Sequence, residues 1–188
     1  DPTETLKKYD TLFIDSITVA GRLCFQFCQM QPENKSDRTG KLDTRAAYGQ
    51  HGREMMSWLT HLQHIREKNV IFVGILDERV DDYNRKIYEL QIEGSKTGRE
   101  LPGIVDEVIT MAVMTGDETV GPYRAFVCQT LNEWGYPAKD RSGRLDVVEE
   151  PHLGKLLTKM SGGTPQSERT LDFVDPKSQT NKEVTNDA

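Results

Sequence analysis

Two kinds of apolar pattern alternate along the chain and divide it into elements. Tyr9-Asp-Thr-Leu-Phe-Ile-Asp15 is a short apolar run closed by an acid. Strands covered on both faces lose the polar alternation of half-exposed ones, so this run predicts a central parallel strand. Ala20, Leu23, Cys24, Phe27 and Cys28 then recur at three- and four-residue spacing. That stripe predicts an amphipathic helix ending at Gln31-Pro32. Residues 32–50 are polar and predict a long loop. A second helix follows, with Met55, Trp58 or Leu59, Leu62 and Ile65 as its face, and Val70-Ile-Phe-Val-Gly-Ile75 predicts another buried strand. The order strand, helix, loop, helix, strand implies an α/β fold, a mostly parallel sheet flanked by helices.

Farther on the pattern weakens. Residues 77–103 are polar and predict a loop, while 106–114 and 123–131 predict strands. The turn-rich link Gly116 to Pro122 between them predicts an antiparallel hairpin. Leu153, Leu156, Leu157 and Met160 predict a short last helix, ended by Ser161-Gly-Gly163. From 161 to 188 few large apolar residues remain, too few to offset the entropy of ordering, so a disordered polar tail is expected there.

Composition narrows the function classes. Hydrophobic residues make up 36% and charged residues 29% of the 188, as in a soluble globular protein. No apolar run approaches the ~18 residues of a membrane span, and no membrane partner is expected. The net charge of −6 argues against wrapping duplex DNA with the whole surface, which normally takes a basic protein. Local loops remain able to hold a single strand. Three cysteines do not make a disulfide framework and point to a reducing cytoplasm.

Two constellations could carry chemistry. Asp15 stands at the C-terminal end of a predicted parallel strand, where ligands bind in open α/β sheets. In P-loop NTPases an acid so placed holds Mg²⁺ beside the β- and γ-phosphates. Asp15 or Ser16 could instead cap the following helix. The phosphate-binding pattern G-x-x-x-x-G-K-[ST] does not occur: Gly40-Lys41 and Gly154-Lys155 are each followed by Leu. Fourteen residues precede Asp15, too few for a strand plus a phosphate-loop helix, so a core truncated at its N-terminus is expected. The second constellation is Ala138-Lys-Asp-Arg-Ser-Gly143. In an extended segment Lys139 and Arg141 would project to one side, a point cation beside a planar guanidinium, suited to clamping a terminal phosphate. An ordinary surface turn is the alternative.

Taken together and in this order, the segments Tyr9 to Thr18, Asn69 to Val73, Leu101 to Val108 and Tyr136 to Leu145 resemble phage-encoded AAA-type ATP-binding proteins related to RecA. These are often found beside recombination and single-strand-annealing genes. The resemblance spans about residues 6–160 and implies a partial RecA-like P-loop NTPase domain over 1–160, starting at the Walker B strand. It implies ATP and Mg²⁺ as cofactors, with Asp15 holding the metal through water and Asp15 and Ser16 on the nucleotide side. Lys139 and Arg141 would reach the γ-phosphate bound by a neighbouring subunit, in a homo-oligomeric ring or filament. The implied work is single-stranded DNA handling in phage recombination or replication, in the bacterial host cytoplasm, with a single-strand-binding or recombination protein as a further partner. Without its phosphate loop the chain by itself is expected to be inactive as an ATPase. Alternatively it is a non-catalytic subunit that lends Lys139 and Arg141 to an intact partner. The polar sensor expected after the second strand has only Asp77 and Glu78 as candidates.

In RecA-like proteins mobile loops line the DNA channel. The stretch 32–53 offers Lys35, Arg38, Lys41 and Arg45 for phosphates and Tyr48 for stacking on a base; a plain solvated loop is the competing reading. Cys24 and Cys28, with His61 and His64, could be imagined around zinc. Both cysteines fall on the apolar stripe, where a free thiol packs as a small hydrophobe.

Overall fold

β1 (Thr11–Asp15) and β2 (Asn69–Val73) pair in parallel, Thr11 opposite Asn69 and Asp15 opposite Val73, in the computed structural model, which describes residues 7–116 and 121–162. The chain divides into two compact units, Asp1–Val105 and Asp106–Ala188. Within the first, the parallel pairing is the one expected, but the burial is not. Leu12 and Ile14 are half-buried, whereas Thr11, Phe13 and Asp15 face out, Phe13 being 54% exposed. Among the described residues β1 has β2 as its sheet neighbour, so only one face of the strand is covered and an uninterrupted apolar run misreports its surroundings.

α1 (Ile17–Met30) follows β1 directly. Its buried face is Ile17, Thr18, Gly21 and Cys28, rotated from the expected stripe; Leu23 and Phe27 are 58% and 51% exposed. Gly21 explains the rotation. A Cβ there would stand 2.9 Å from Ile92, so the helix packs through its glycine side rather than its bulkiest side chains. A short 3-10 turn, Pro32–Asn34, leads on; the buried Asn34 donates through Nδ2 to the Cys28 carbonyl at 2.6 Å.

Three elements, and the first turns of a fourth, lie where loops were expected. α2 (Thr44–Gln63) begins inside the stretch 32–50, because the Asp43 carboxylate caps the Ala46 amide at 3.0 Å. β3 (Leu76–Val80) and β4 (Lys86–Leu90) form an antiparallel hairpin inside 77–103. Its turn is organised by Asp81, whose carboxylate accepts from the Tyr83 and Arg85 amides. α3 (Ser95–Ile104) starts at Gly94, which has φ +78°. The hairpin, α3 and the first turns of α2 were masked by polar or glycine-rich sequence, and local capping and turn hydrogen bonds define them; the rest of α2 carries the expected stripe, with Met55 and Leu59 buried. Ile17, Met55, Leu59 and Leu101 form the core of this unit, with Phe72, Leu90 and Ile92 against it.

In the second unit, β6 (Thr110–Met114) and β7 (Tyr123–Val127) make the antiparallel hairpin expected; residues 117–120 of its link lie outside the described residues. β9 (Val148–Glu149) extends that sheet beside β7, and β5 (Glu107–Val108) pairs separately with β8 (Lys139–Asp140). The strand buried on both faces is β7. Ala125 and Val127 pack with Ala112 and Met114, while Phe126 and the adjoining Cys128 pack with Leu145 and Leu156. α4 (Leu153–Met160) is the expected last helix, capped by His152. Ser161 and Gly162 close it, and the rest of the tail lies outside the described residues. The fold is thus mixed α/β in small sheets, with one parallel pairing and otherwise antiparallel pairings among the described residues.

Candidate functional site

Asp15 ends β1, and the peptide bond to Ser16 is cis. Ser16 is the N-cap of α1, its Oγ accepting from the Val19 amide at 3.3 Å. One turn on, the buried Thr18 hydroxyl accepts from the Ile75 amide at 3.2 Å, tying the start of α1 to the chain just past β2. The capping work is therefore done by Ser16 and not by Asp15. Among the described residues the Asp15 carboxylate is exposed and has no hydrogen-bond or ion-pair partner. An acid held on a paired strand beside a capped helix, yet unspent on either, is available to a ligand.

Lys139 and Arg141 belong to the second unit. Lys139 is a half-buried residue of β8, opposite Val108. Arg141 lies just past the strand; its guanidinium, 53% exposed, pairs with Asp106 at 2.5 Å. Between them, Asp140 is the hub of a tight turn. Its Oδ1 accepts from the Ser142 hydroxyl at 2.6 Å and the Gly143 amide at 3.1 Å; its Oδ2 accepts from the Leu145 amide at 2.9 Å and Gln129 Nε2 at 3.2 Å. Burial alone would raise the Asp140 pKa, but hydrogen bonds from the Ser142 hydroxyl, the Leu145 amide, the Glu107 carboxyl and the Gly143 amide hold it down at about 2. Glu107, across the pairing, accepts from the Arg141 and Ser142 amides. Its pKa is raised by burial and by the neighbouring Asp140 charge. The surface-turn reading of this segment is correct locally, and it describes how the two cations are held.

The family model described as an AAA domain matches residues 3–142. The chain belongs to this AAA-domain family. It is a family of nucleotide-binding ATPases that generally use ATP and Mg²⁺. The matched stretch of the AAA domain contains Asp15, Ser16, Lys139 and Arg141. No curated protein and no solved structure matches the chain.

Within the AAA domain the residues put forward for nucleic acid separate. Lys35, Arg38 and Lys41 are exposed on a turn closed by a bridge between Lys35 and Leu42 and by the Ser36 amide on the Lys41 carbonyl at 2.8 Å. Arg45 and Tyr48 are not on that loop. They lie in the first turns of α2, and the Tyr48 ring stacks on Phe25 with centroids 4.1 Å apart. The sensor candidates are engaged in the hairpin: Asp77 pairs with Arg79, and Glu78 with Lys86 at 2.8 Å. No group of three or more His, Cys, Asp or Glu among the described residues could hold a metal ion. Burial pushes the Cys24 thiol up to about 11, with the Cys28 sulfur beside it adding to the rise. No helix among the described residues is long and apolar enough to cross a membrane. Sequence reasoning missed the role of Asp140 as a hub; the run Asp140-Arg-Ser-Gly143, the composition of an Asx turn, was its signal.

Proposed function

We propose that this AAA domain supplies the Mg²⁺-side acid and an inter-subunit cation pair to an ATPase that handles single-stranded DNA in phage recombination or replication. The observation that carries the reading is the unspent Asp15 carboxylate at the C-terminal end of a parallel-paired strand. Mg²⁺ bound with nucleotide keeps several waters and takes one or two carboxylates plus phosphate oxygens, so a single acid fits the need. The metal, when present, neutralises charge developing on the transferred phosphoryl group. Asp15 would accept hydrogen bonds from its water shell, and Ser16 would fix the backbone that aims it.

Lys139 and Arg141 act from a second copy in this reading. The Asp106 partner of Arg141 is itself well exposed, and surface ion pairs are worth only ~0–1 kcal/mol. Arg141 can leave it for a phosphate, while Asp140 keeps the turn in place. Charge delivered to the γ-phosphate in this way stabilises the transition state more than the bound ground state.

The test is made in the assembled ATPase with a phosphate-binding loop supplied upstream. Arg141→Ala should leave nucleotide affinity of the isolated subunit unchanged and slow hydrolysis by at least about a hundredfold. Mixing Arg141→Ala subunits with Asp15→Asn subunits should restore part of the rate, at interfaces where an intact Asp15 meets an intact Arg141. A normal rate for Arg141→Ala, with no change on mixing, would remove the inter-subunit role.

A further inference from the structure

Asp106 and Glu107 are consecutive residues, and both hold Arg141. The Asp106 carboxylate pairs with the guanidinium at 2.5 Å. The Glu107 carboxyl holds the backbone: Oε2 accepts from the Arg141 amide at 3.3 Å and Oε1 from the Ser142 amide at 3.2 Å. The two grips differ in kind. The Asp106 pair lies at the surface, with both side chains more than half exposed, and such pairs are weak and screened by salt. Glu107 is half-buried on β5, where it stands opposite Asp140 in the pairing with β8.

Two carboxyl groups facing each other across a strand pair repel if both are ionised. A hydrogen bond joins these two instead. Such a bond needs one proton, since an ionised carboxylate only accepts. Asp140 already accepts from the Ser142 hydroxyl, the Gly143 and Leu145 amides and Gln129, so the proton belongs to Glu107. Burial and the Asp140 charge raise the Glu107 pKa, in keeping with that assignment. Four other groups stand around the pair. Asp106 is next in the chain, the Arg141 guanidinium is paired with it, and Lys139 lies opposite Val108. The Cys128 thiol is pushed up to about 12 by burial and by the charges of Glu149, Asp140 and Glu107.

We propose that Glu107 is a positioning residue for Arg141: its carboxyl, joined to Asp140 by one proton, fixes the backbone from which the guanidinium is presented to a phosphate. The hold on the Arg141 backbone stands on hydrogen bonds within this unit. Only the presentation to phosphate rests on the inter-subunit reading above. Ionisation of Glu107 undoes the clasp, because it removes the proton that joins the acids and sets two like charges opposite each other.

The first readout uses the whole chain without nucleotide. In isotope-labelled protein the Arg141 and Ser142 amide resonances should shift together as pH rises through the Glu107 pKa, above the ordinary carboxyl range. Glu107→Gln keeps an acceptor for these amides and a donor for Asp140, and should abolish that titration. Amides that do not move with pH, or that move identically in Glu107→Gln, would overturn the proposal.

The second readout is hydrolysis in the assembled ATPase with a phosphate-binding loop supplied upstream. Glu107→Ala should lower kcat about tenfold at unchanged KM, the scale of a small misplacement, and Glu107→Gln should restore most of it. In an Arg141→Ala background, Glu107→Ala should cost less than about twofold, because nothing is left to position. An equal loss in both backgrounds would show a role apart from Arg141 and overturn the proposal. A wild-type rate for Glu107→Ala where Arg141→Ala is slow would do the same. If Glu107→Ala does not fold, the conservative variant decides: kcat of the wild type should fall relative to Glu107→Gln as pH rises through the Glu107 pKa, and parallel profiles would overturn the proposal. A wild-type rate for Arg141→Ala would instead overturn the inter-subunit reading, and the presentation to phosphate with it; the amide titration still decides whether Glu107 holds the turn.

Discussion

Asp15 closes β1 in the first unit and Asp140 closes β8 in the second, and the fold spends the two acids differently. Asp140 accepts four hydrogen bonds and is held at a pKa of about 2. Asp15 accepts none among the described residues; the neighbouring Ser16 does the capping that an acid in its place could have done. A carboxylate whose lone pairs are filled by its own chain is an architectural part. One whose lone pairs are left to solvent, on a backbone fixed on both sides, is free to meet a cation. The same division holds for the cations near Asp140. The turn that Asp140 organises fixes the backbone, while among the described residues the Arg141 guanidinium is engaged by an exposed acid.

If that division is right, the largest loss of stability comes from Asp140. Asp140→Ala leaves the Leu145 and Gly143 amides and the Ser142 hydroxyl without this acceptor, and should cost about 2–3 kcal/mol in denaturant unfolding. The pH profile carries the sign. A carboxylate with a depressed folded pKa stabilises above its ordinary value, near 3.9, and loses that contribution as pH falls through about 2. Wild-type stability should therefore fall between about pH 4 and pH 2, with a shallower fall in Asp140→Ala. Glu107 has the opposite sign: its raised pKa favours the folded state at low pH and loses that effect as pH rises. Parallel slopes for the two proteins would show that Asp140 is not the hub.

A smaller effect is expected at the other end of the comparison. Ser16→Ala removes the N-cap of α1 and should cost about 1 kcal/mol, measured by the same unfolding curves. Ser16→Asp should recover most of it, since Asp caps as well as Ser. A cost near zero for the alanine variant would mean that Asp15 takes over the cap, and the contrast with Asp140 would narrow.

Strongly patterned elements were legible from the residues: β1, β2, α1, the β6–β7 hairpin and α4. Elements stabilised by local hydrogen bonds were not. The β3–β4 hairpin carries charges on both strands, matched across it as in Glu78 and Lys86, so it shows no apolar alternation. α3 opens on Gly94 and contains Gly98 and Pro102, which read as loop residues. Exposure was harder still. Leu23 and Phe27 look like core side chains, but the close approach at Gly21 decides which side of α1 is buried. At the candidate site, Asp15, Lys139 and Arg141 stood out by residue type and spacing. The role of Asp140 depends on contacts between segments that spacing does not encode.

The most direct measurement is Asp15→Asn, read by unfolding and by Mg²⁺-dependent ATP hydrolysis in the assembled enzyme with a phosphate-binding loop supplied upstream. The substitution keeps the shape of an exposed side chain that has no hydrogen-bond or ion-pair partner among the described residues, so the unfolding free energy should stay within about 0.5 kcal/mol of wild type. If Asp15 is the acid on the Mg²⁺ side, as proposed, hydrolysis should fall by at least about a hundredfold, a loss that raising Mg²⁺ only partly recovers. A wild-type rate with Asn at this position, or a loss of stability comparable to that of Asp140→Ala, would contradict the account.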